Sequence, residues 1–202
     1  MKLSVLICSV HTRRNTFLPI ILNELYRQYD LLSESEKNDV EIIVLQDNKK
    51  IMLGTKRNFM VDMAQGQYVV FVDDDDRINP LYLKKLLTAS YNLTDCITFK
   101  ALVSINGTDA KECTYSIKFE MDGNYPDWYE RIPNHICAIK RELARKVNYP
   151  AIPYGEDSGF SKEIKKYLQT EHFINEVLYF YDYNSQTTET QQHLNNRKKR
   201  LR

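Results

Sequence analysis

Val69-Val70-Phe71-Val72-Asp73-Asp74-Asp75-Asp76 sets four acids directly behind an apolar run that reads as a buried β-strand. In an open α/β sheet, ligands bind beyond the carboxyl ends of the strands, so these carboxylates are expected to converge on a ligand rather than to pack. Like charges this close raise one another's pKa values, and a hard cation held by oxygen is the usual relief. The run therefore predicts a divalent metal holding phosphate. The plain alternative is a solvated acidic turn ahead of the next helix.

Upstream, Leu3 to Val10 reads as a strand ending in the polar, basic loop Ser9-Val10-His11-Thr12-Arg13-Arg14. Leu18, Ile21, Leu22, Leu25, Tyr29 and Leu32 follow at helical spacing. Val40 to Leu45 is a second continuous apolar strand, as expected for one buried on both faces of a parallel sheet, and it ends in Gln46-Asp47-Asn48. Gly54 to Ala64 reads as a helix with Met60, Met63 and Ala64 on one face, closed by Gly66. Tyr68 to Val72 then delivers the acids, and Asn79-Pro80 starts a helix carrying Leu83, Leu86 and Leu87. Three strand-helix alternations predict a parallel sheet with right-handed crossovers.

Downstream the pattern changes. Cys96 to Ser104 and Glu112 to Phe119 are strands flanking Asn106-Gly107, a hairpin signal rather than a crossover. Ile136 to Ile139 reads as a strand and Arg141 to Val147 as a short helix. Gly155-Glu156-Asp157-Ser158 precedes another helix, and Glu176 to Tyr183 is a last aromatic strand.

Length and charge bound the rest. A chain of 202 residues suffices for one α/β domain, here residues 1–185, with 186–202 as a polar, basic tail. Lys and Arg total 28 against 27 Asp and Glu, so the whole chain advertises neither nucleic acid nor membrane as partner. Only Arg197, Lys198, Lys199, Arg200 and Arg202 form a basic cluster, which reads as a solvated terminus. Cys8, Cys96, Cys113 and Cys137 have no Cys-x-x-Cys pairing and sit in apolar contexts. They are expected to be buried thiols in a reducing, cytoplasmic compartment. No segment reads as a signal peptide or membrane span.

In order and spacing, five motifs resemble the GT-A glycosyltransferases, in particular the inverting family 2 type, over roughly residues 2–183. They are the first strand with its polar loop, Val44-Leu45-Gln46-Asp47, Lys56-Arg57-Asn58 with Ala64-Gln65-Gly66-Gln67-Tyr68, Phe71-Val72-Asp73-Asp74-Asp75-Asp76, and Gly155-Glu156-Asp157. The resemblance implies an α/β GT-A fold: a Rossmann-like, mostly parallel nucleotide-binding half followed by a mixed acceptor half. It also implies a nucleotide-sugar donor, a UDP-sugar being favoured, lying across the strand ends with Mn²⁺ or Mg²⁺ bridging its diphosphate. Asp73 and Asp75 match the DxD pair of that family. Asp75 is then the metal ligand and Asp73 lies near the ribose and the waters of the metal. Asp47 would meet the nucleotide base, and Ser9, His11, Arg13, Arg57 and Asp74 would line the donor site. For Arg57 a surface pair on the helix is the plain alternative.

Displacing a nucleoside diphosphate from an anomeric carbon builds negative charge on the leaving oxygens, which a divalent cation and a positive side chain offset. The acceptor hydroxyl needs a base on the other face of the sugar, and Asp157 is the choice, with Glu156 beside it. Plain helix capping is the competing reading of that pair. Trp128, within Tyr125-Pro126-Asp127-Trp128-Tyr129, and His135 are candidates to face the acceptor. The chain departs from the family where Tyr181-Asp182-Tyr183 reaches Asn184 without the histidine that commonly completes the metal shell. His193 is the late candidate for that place, while His172 reads as the start of a strand.

Other functions fit less well. A sugar-nucleotide pyrophosphorylase needs a glycine-rich loop after the first strand, and Ser9 to Arg14 contains none. A calcium loop starting at Asp73 would put Ile78 at the glycine position and Lys84 at the glutamate position. Two readings stay open beside the transferase: a viral-type DNA-base glycosyltransferase acting on hydroxymethylated bases, and a nucleotide-sugar-binding protein without turnover. The acceptor itself, whether small molecule, glycan, protein or modified DNA base, is not legible in the chain.

Overall fold

The computed structural model describes residues 1–184. His193 and the basic tail lie outside the described residues. In chain order the elements are β1 (Leu3–Val10), α1 (Phe17–Asp30), α2 (Glu34–Lys37), β2 (Val40–Asp47), α3 (Leu53–Met63), β3 (Tyr68–Phe71), β4 (Arg77–Ile78) and α4 (Tyr82–Ser90). They continue with β5 (Cys96–Ile105), β6 (Lys111–Tyr115), β7 (Gly123–Asn124), β8 (Trp128–Arg131), β9 (Ala138–Lys140), α5 (Arg141–Ala144), α6 (Glu156–Ile164) and β10 (Glu171–Tyr183).

One sheet runs β2-β1-β3-β9-β5-β6-β8-β7, with β10 along β5 and β4 on β10. β2, β1 and β3 are mutually parallel and their carboxyl ends share one edge. β1 and β3 are buried throughout, but β2 is not buried on both faces as expected: it is the edge strand, and only Val40 in it is buried. β9 enters antiparallel to both β3 and β5, which opens the mixed half. The alternation of β1 splits the core in two. Leu3, Val5 and Ile7 pack with Leu18, Ile21 and Leu25 of α1 and Leu83, Leu86 and Leu87 of α4. Leu6 and Cys8 face Met60 and Val61 of α3, Phe160 and Ile164 of α6, and Leu143 of α5. All four cysteines are free and buried.

Several local expectations are corrected. Gly66 does not close α3. The helix ends at Met63, its cap residue Ala64 is already extended at ψ 144°, and a Cβ on Gly66 would lie 2.5 Å from Ser4 Oγ. Gly66 is small because β1 passes against it. Asn79 does not start a helix directly: its N–H donates to Leu178 O and its Nδ2 to Val177 O, both 2.9 Å, so β4 docks on β10 before α4 begins at Tyr82. β6 stops at Tyr115, where Glu171 accepts from Ser116 Oγ at 2.7 Å and from the Ile117 N–H at 3.1 Å. β10 begins at Glu171 rather than Glu176, with irregularities between Ile174 and Tyr179 that break its alternation.

Candidate functional site

The tips of β1 and β3 and the head of α6 line one cavity of about 660 Å³. Ser9, Arg13, Arg57, Asp73, Asp74, Asp75, Glu156, Asp157 and His135 all lie on its wall, so most of the residues singled out in the sequence come together. Asp47 and His11 line a smaller recess of about 420 Å³ that shares Ile51 with the main cavity. Asp47 is occupied there: it accepts the N–H groups of Lys50 and Ile51 at 2.7 and 2.8 Å and pairs with Lys56.

Trp128 is not part of this wall. Cys113, Tyr115 and Arg131 line the cavity, and their register pairs are Tyr129 for Cys113 and Arg131 for Tyr115. Strand alternation therefore turns Trp128 to the opposite face, where it stacks on Tyr125 at 4.8 Å between ring centroids. Tyr129 shares the cavity face instead, with the guanidinium of Arg131 5.1 Å from its ring.

Each of the four acids meets a protein partner, with Asp74 and Asp75 sharing Arg13. Asp73 accepts from Arg57 Nη2 at 3.0 Å and pairs with His135 Nε2 at 3.2 Å. Burial alone would raise Asp73, but the charges of His135 and Arg57 outweigh it and hold this carboxyl well below the usual range. Asp74 accepts from Ser9 Oγ at 2.6 Å and from Arg13 Nη1 at 2.5 Å, while Asp75 takes Arg13 Nη2 at 2.9 Å. Both are raised because burial exceeds the pull of Arg13. Asp76 is buried and accepts from Tyr179 Oη at 2.7 Å, and that phenol also accepts the Asp73 N–H at 3.1 Å. Burial and the neighbouring Asp73 and Asp75 push Asp76 well up.

Three consecutive residues of α3 organise the site. Lys56, 3 % exposed, donates to Ser9 O at 2.9 Å and pairs with Asp47, tying the tips of β1 and β2 together. Arg57, 2 % exposed, spans Asp73 and Glu156, the latter at 2.8 Å. Its guanidinium sits 5.4 Å from the ring centroid of Phe71 and 5.6 Å from that of Tyr149. The surface-pair reading of Arg57 is thereby excluded. Asn58 clamps the backbone of Tyr149 from both sides, donating at 3.0 Å and accepting at 2.8 Å. Lys56 and Asn58 were not assigned roles from the sequence. The signal was a Lys-Arg pair on a helix with little amphipathic separation, directly after a strand tip, where cations answer carboxylates.

Glu156 is buried against Arg57 and so is a structural partner rather than an open base. Asp157 stands beside it on the cavity wall, accepting the Ser158 N–H at 2.8 Å. Gly155, at φ 85°, supplies the left-handed residue that starts α6 at this angle. His172 lies away from the cavity in β10, 3.1 Å from Asn92. Among the described residues no three His, Cys, Asp or Glu side chains form a ready cage for a metal ion, and no helix is long and apolar enough to cross a membrane.

A sequence profile described as Glycosyl transferase family 2 matches residues 21–147. EpsH of Bacillus subtilis (strain 168), a candidate glycosyltransferase, is 26 % identical over 133 residues, 65 % of this chain and 32 % of EpsH. Among solved structures, the 1–349 fragment of S. aureus TarS aligns with a TM-score of 0.66 at 18 % identity, over 90 % of this chain and 60 % of the fragment. The same fragment in complex with UDP-GlcNAc gives 0.68 at 16 % identity over 91 % and 59 %. The chain thus spans about a third of EpsH and under two thirds of the TarS fragment. The TarS likeness is one of fold, that of the GT-A glycosyltransferases. The family match covers more than half of the residues, and the chain belongs to glycosyl transferase family 2.

Proposed function

We propose that this chain transfers the sugar of a UDP-sugar to an acceptor hydroxyl with inversion at the anomeric carbon, in a reaction that depends on a divalent metal. The observation that carries the reading is the meeting of the β3 acids and the Glu156-Asp157 pair on one cavity at the carboxyl edge of the sheet. TarS in complex with UDP and with UDP-GlcNAc supports a UDP-sugar as the donor class.

Ser9, Arg13 and the β3 acids would face the donor diphosphate, with the recess at His11 and Asp47 beside them for the base. Arg57 is buried with its two Nη groups engaged by Asp73 and Glu156, so it acts by positioning those acids rather than by touching the donor. Asp157, exposed to the cavity, takes the proton of the acceptor hydroxyl as that oxygen attacks the sugar carbon opposite the leaving diphosphate. A single displacement of this kind inverts the centre. Mn²⁺ or Mg²⁺ suits the oxygen donors here, since such ions are commonly held by one or two carboxylates with phosphate and water completing the shell. Asp75 fits best, because a cation, the Arg13 guanidinium, already seats beside it and both oxygens of Asp73 are engaged. When bound, the ion offsets the charge growing on the leaving diphosphate.

Asp157→Asn tests the assignment. Incubated with a panel of UDP-sugars and Mn²⁺, the parent protein should release UDP. The variant should bind donor within a few-fold of the parent yet release UDP at least about 10²-fold more slowly. NMR of the product should show the inverted anomer. Donor binding without UDP release across the panel would instead mark a nucleotide-sugar-binding protein, and a retained anomer would refute single displacement.

A further inference from the structure

Arg13 holds an unusual position for a residue that is to meet a diphosphate, because its charge is already committed to the acidic turn. It leaves the short 3-10 turn His11–Arg13 behind β1 and divides its fork, Nη1 on Asp74 at 2.5 Å and Nη2 on Asp75 at 2.9 Å. The two contacts are unequal in their support. Asp74 is buried and accepts from Ser9 Oγ at 2.6 Å as well as from Arg13. Asp75 is part-exposed on the cavity, and among the described residues Arg13 is the one side chain paired with it. The guanidinium carbon also rests 5.2 Å from the Phe17 ring centroid, a second anchor independent of Asp75. Arg13 can therefore give up Asp75 while Asp74 and Phe17 keep its head in place.

We infer that Arg13 is an exchangeable counter-cation of the acidic turn, neutralising Asp75 until a divalent cation arrives with a nucleoside diphosphate, and then turning the freed half of its fork onto that diphosphate. This rests on the UDP-sugar reading above. The physical basis is competition. A guanidinium and a divalent cation cannot both sit on one carboxylate oxygen without repelling each other. A diphosphate next to Asp75, however, offers the displaced N–H groups the bidentate oxygen pair that guanidinium prefers. The consequence is synergy: the metal alone is opposed by Arg13, and metal plus diphosphate is favoured by it.

Mn²⁺ binding, followed by the EPR signal of the free ion, tests this with Mn²⁺ alone and with Mn²⁺ plus UDP. In the parent, UDP should tighten Mn²⁺ binding at least about tenfold. Arg13→Met should bind Mn²⁺ alone about tenfold more tightly than the parent, of the order of one lost charge-assisted contact, while UDP should add little further. Arg13→Lys, which keeps the charge but cannot span two acids, should retain the opposition to Mn²⁺ alone and lose most of the UDP synergy. It also serves if the methionine variant does not fold. Unchanged or weaker Mn²⁺ binding in folded Arg13→Met, with Asp75→Asn abolishing binding, would overturn the exchange while the donor reading stood. Mn²⁺ plus UDP binding that is indifferent to Asp75→Asn would overturn the placement of the metal itself, and this inference with it.

Discussion

Replacing Arg57 by methionine removes a buried cation that Asp73 and Glu156 share. The geometry sets the scale. Arg57 and Glu156 are 2 % and 7 % exposed, so breaking their 2.8 Å pair strands a buried carboxylate. Removing one partner of such a pair costs about 3–5 kcal/mol. Asp73 is more accessible and keeps His135, so its loss of Arg57 adds less. Against a total stability of about 5–15 kcal/mol, Arg57→Met should unfold far more easily. With a urea m-value of about 2 kcal/mol/M, the midpoint should fall by about 1.5–2.5 M. Arg57→Lys should recover only part of the loss, since an ammonium cannot span both acids as the planar fork does. The decisive arm is Arg57→Met combined with Glu156→Gln. If the cost is a stranded charge, neutralising Glu156 should return much of it, and the cycle should show a coupling well above the few tenths typical of independent sites. A midpoint within about 0.5 M of the parent at unchanged m, or additive double-mutant energies, would refute the view that Arg57 is a strut between the donor acids and the loop of the base.

Tyr179→Phe removes the hydroxyl that donates to Asp76 and accepts the Asp73 N–H, and should cost about 1–3 kcal/mol in the same denaturation assay, the usual penalty for leaving buried polar groups unmet. All four cysteines should resist a thiol-specific reagent in the native protein at pH 8 and react in denaturant. Burial pushes the Cys8 thiol up to about 12 and Cys113 up to about 11, so the thiolate fraction at pH 8 is small and rises only in strong alkali. Rapid native labelling at pH 8 would contradict both their burial and their protonation.

Much of the fold was legible because its parallel half is governed by period and burial alone. β1 and β3 are buried, mostly apolar runs followed by polar or charged residues, and β2 keeps enough of that pattern to be read as a strand although it lies half-exposed at the sheet edge. The mixed half was harder to read for identifiable reasons. β10 carries two register shifts between Ile174 and Tyr179, which scramble the two-residue period that would have revealed its first half. β4 is two residues long and exists only because Asn79 is tied to β10, a tertiary constraint with no local signal. β8 hides behind turn residues, which left the face of Trp128 undetermined in the sequence. The register with β6 decides that face.

The site divides along the same line. That the acids following β3 would converge with Glu156-Asp157 follows from strand topology, which sequence order carries. How their charges would be balanced does not, because the balancing groups arrive from 16 residues upstream for Arg57 and about 60 in either direction for Arg13 and His135. Repulsion at a strand tip must be answered, and sequence alone suggested a metal as the answer. In the fold, two arginines, a histidine and a tyrosine also meet particular acids. This changes what a metal would have to do here. It is not required to hold the turn together, since Asp73, Asp74 and Asp76 are each satisfied by protein donors. Its place would be at Asp75, the acid whose partner can leave. Chelation should therefore leave the unfolding transition of the protein essentially unmoved while removing metal-dependent UDP binding, a separation that a structural metal at the same residues could not produce.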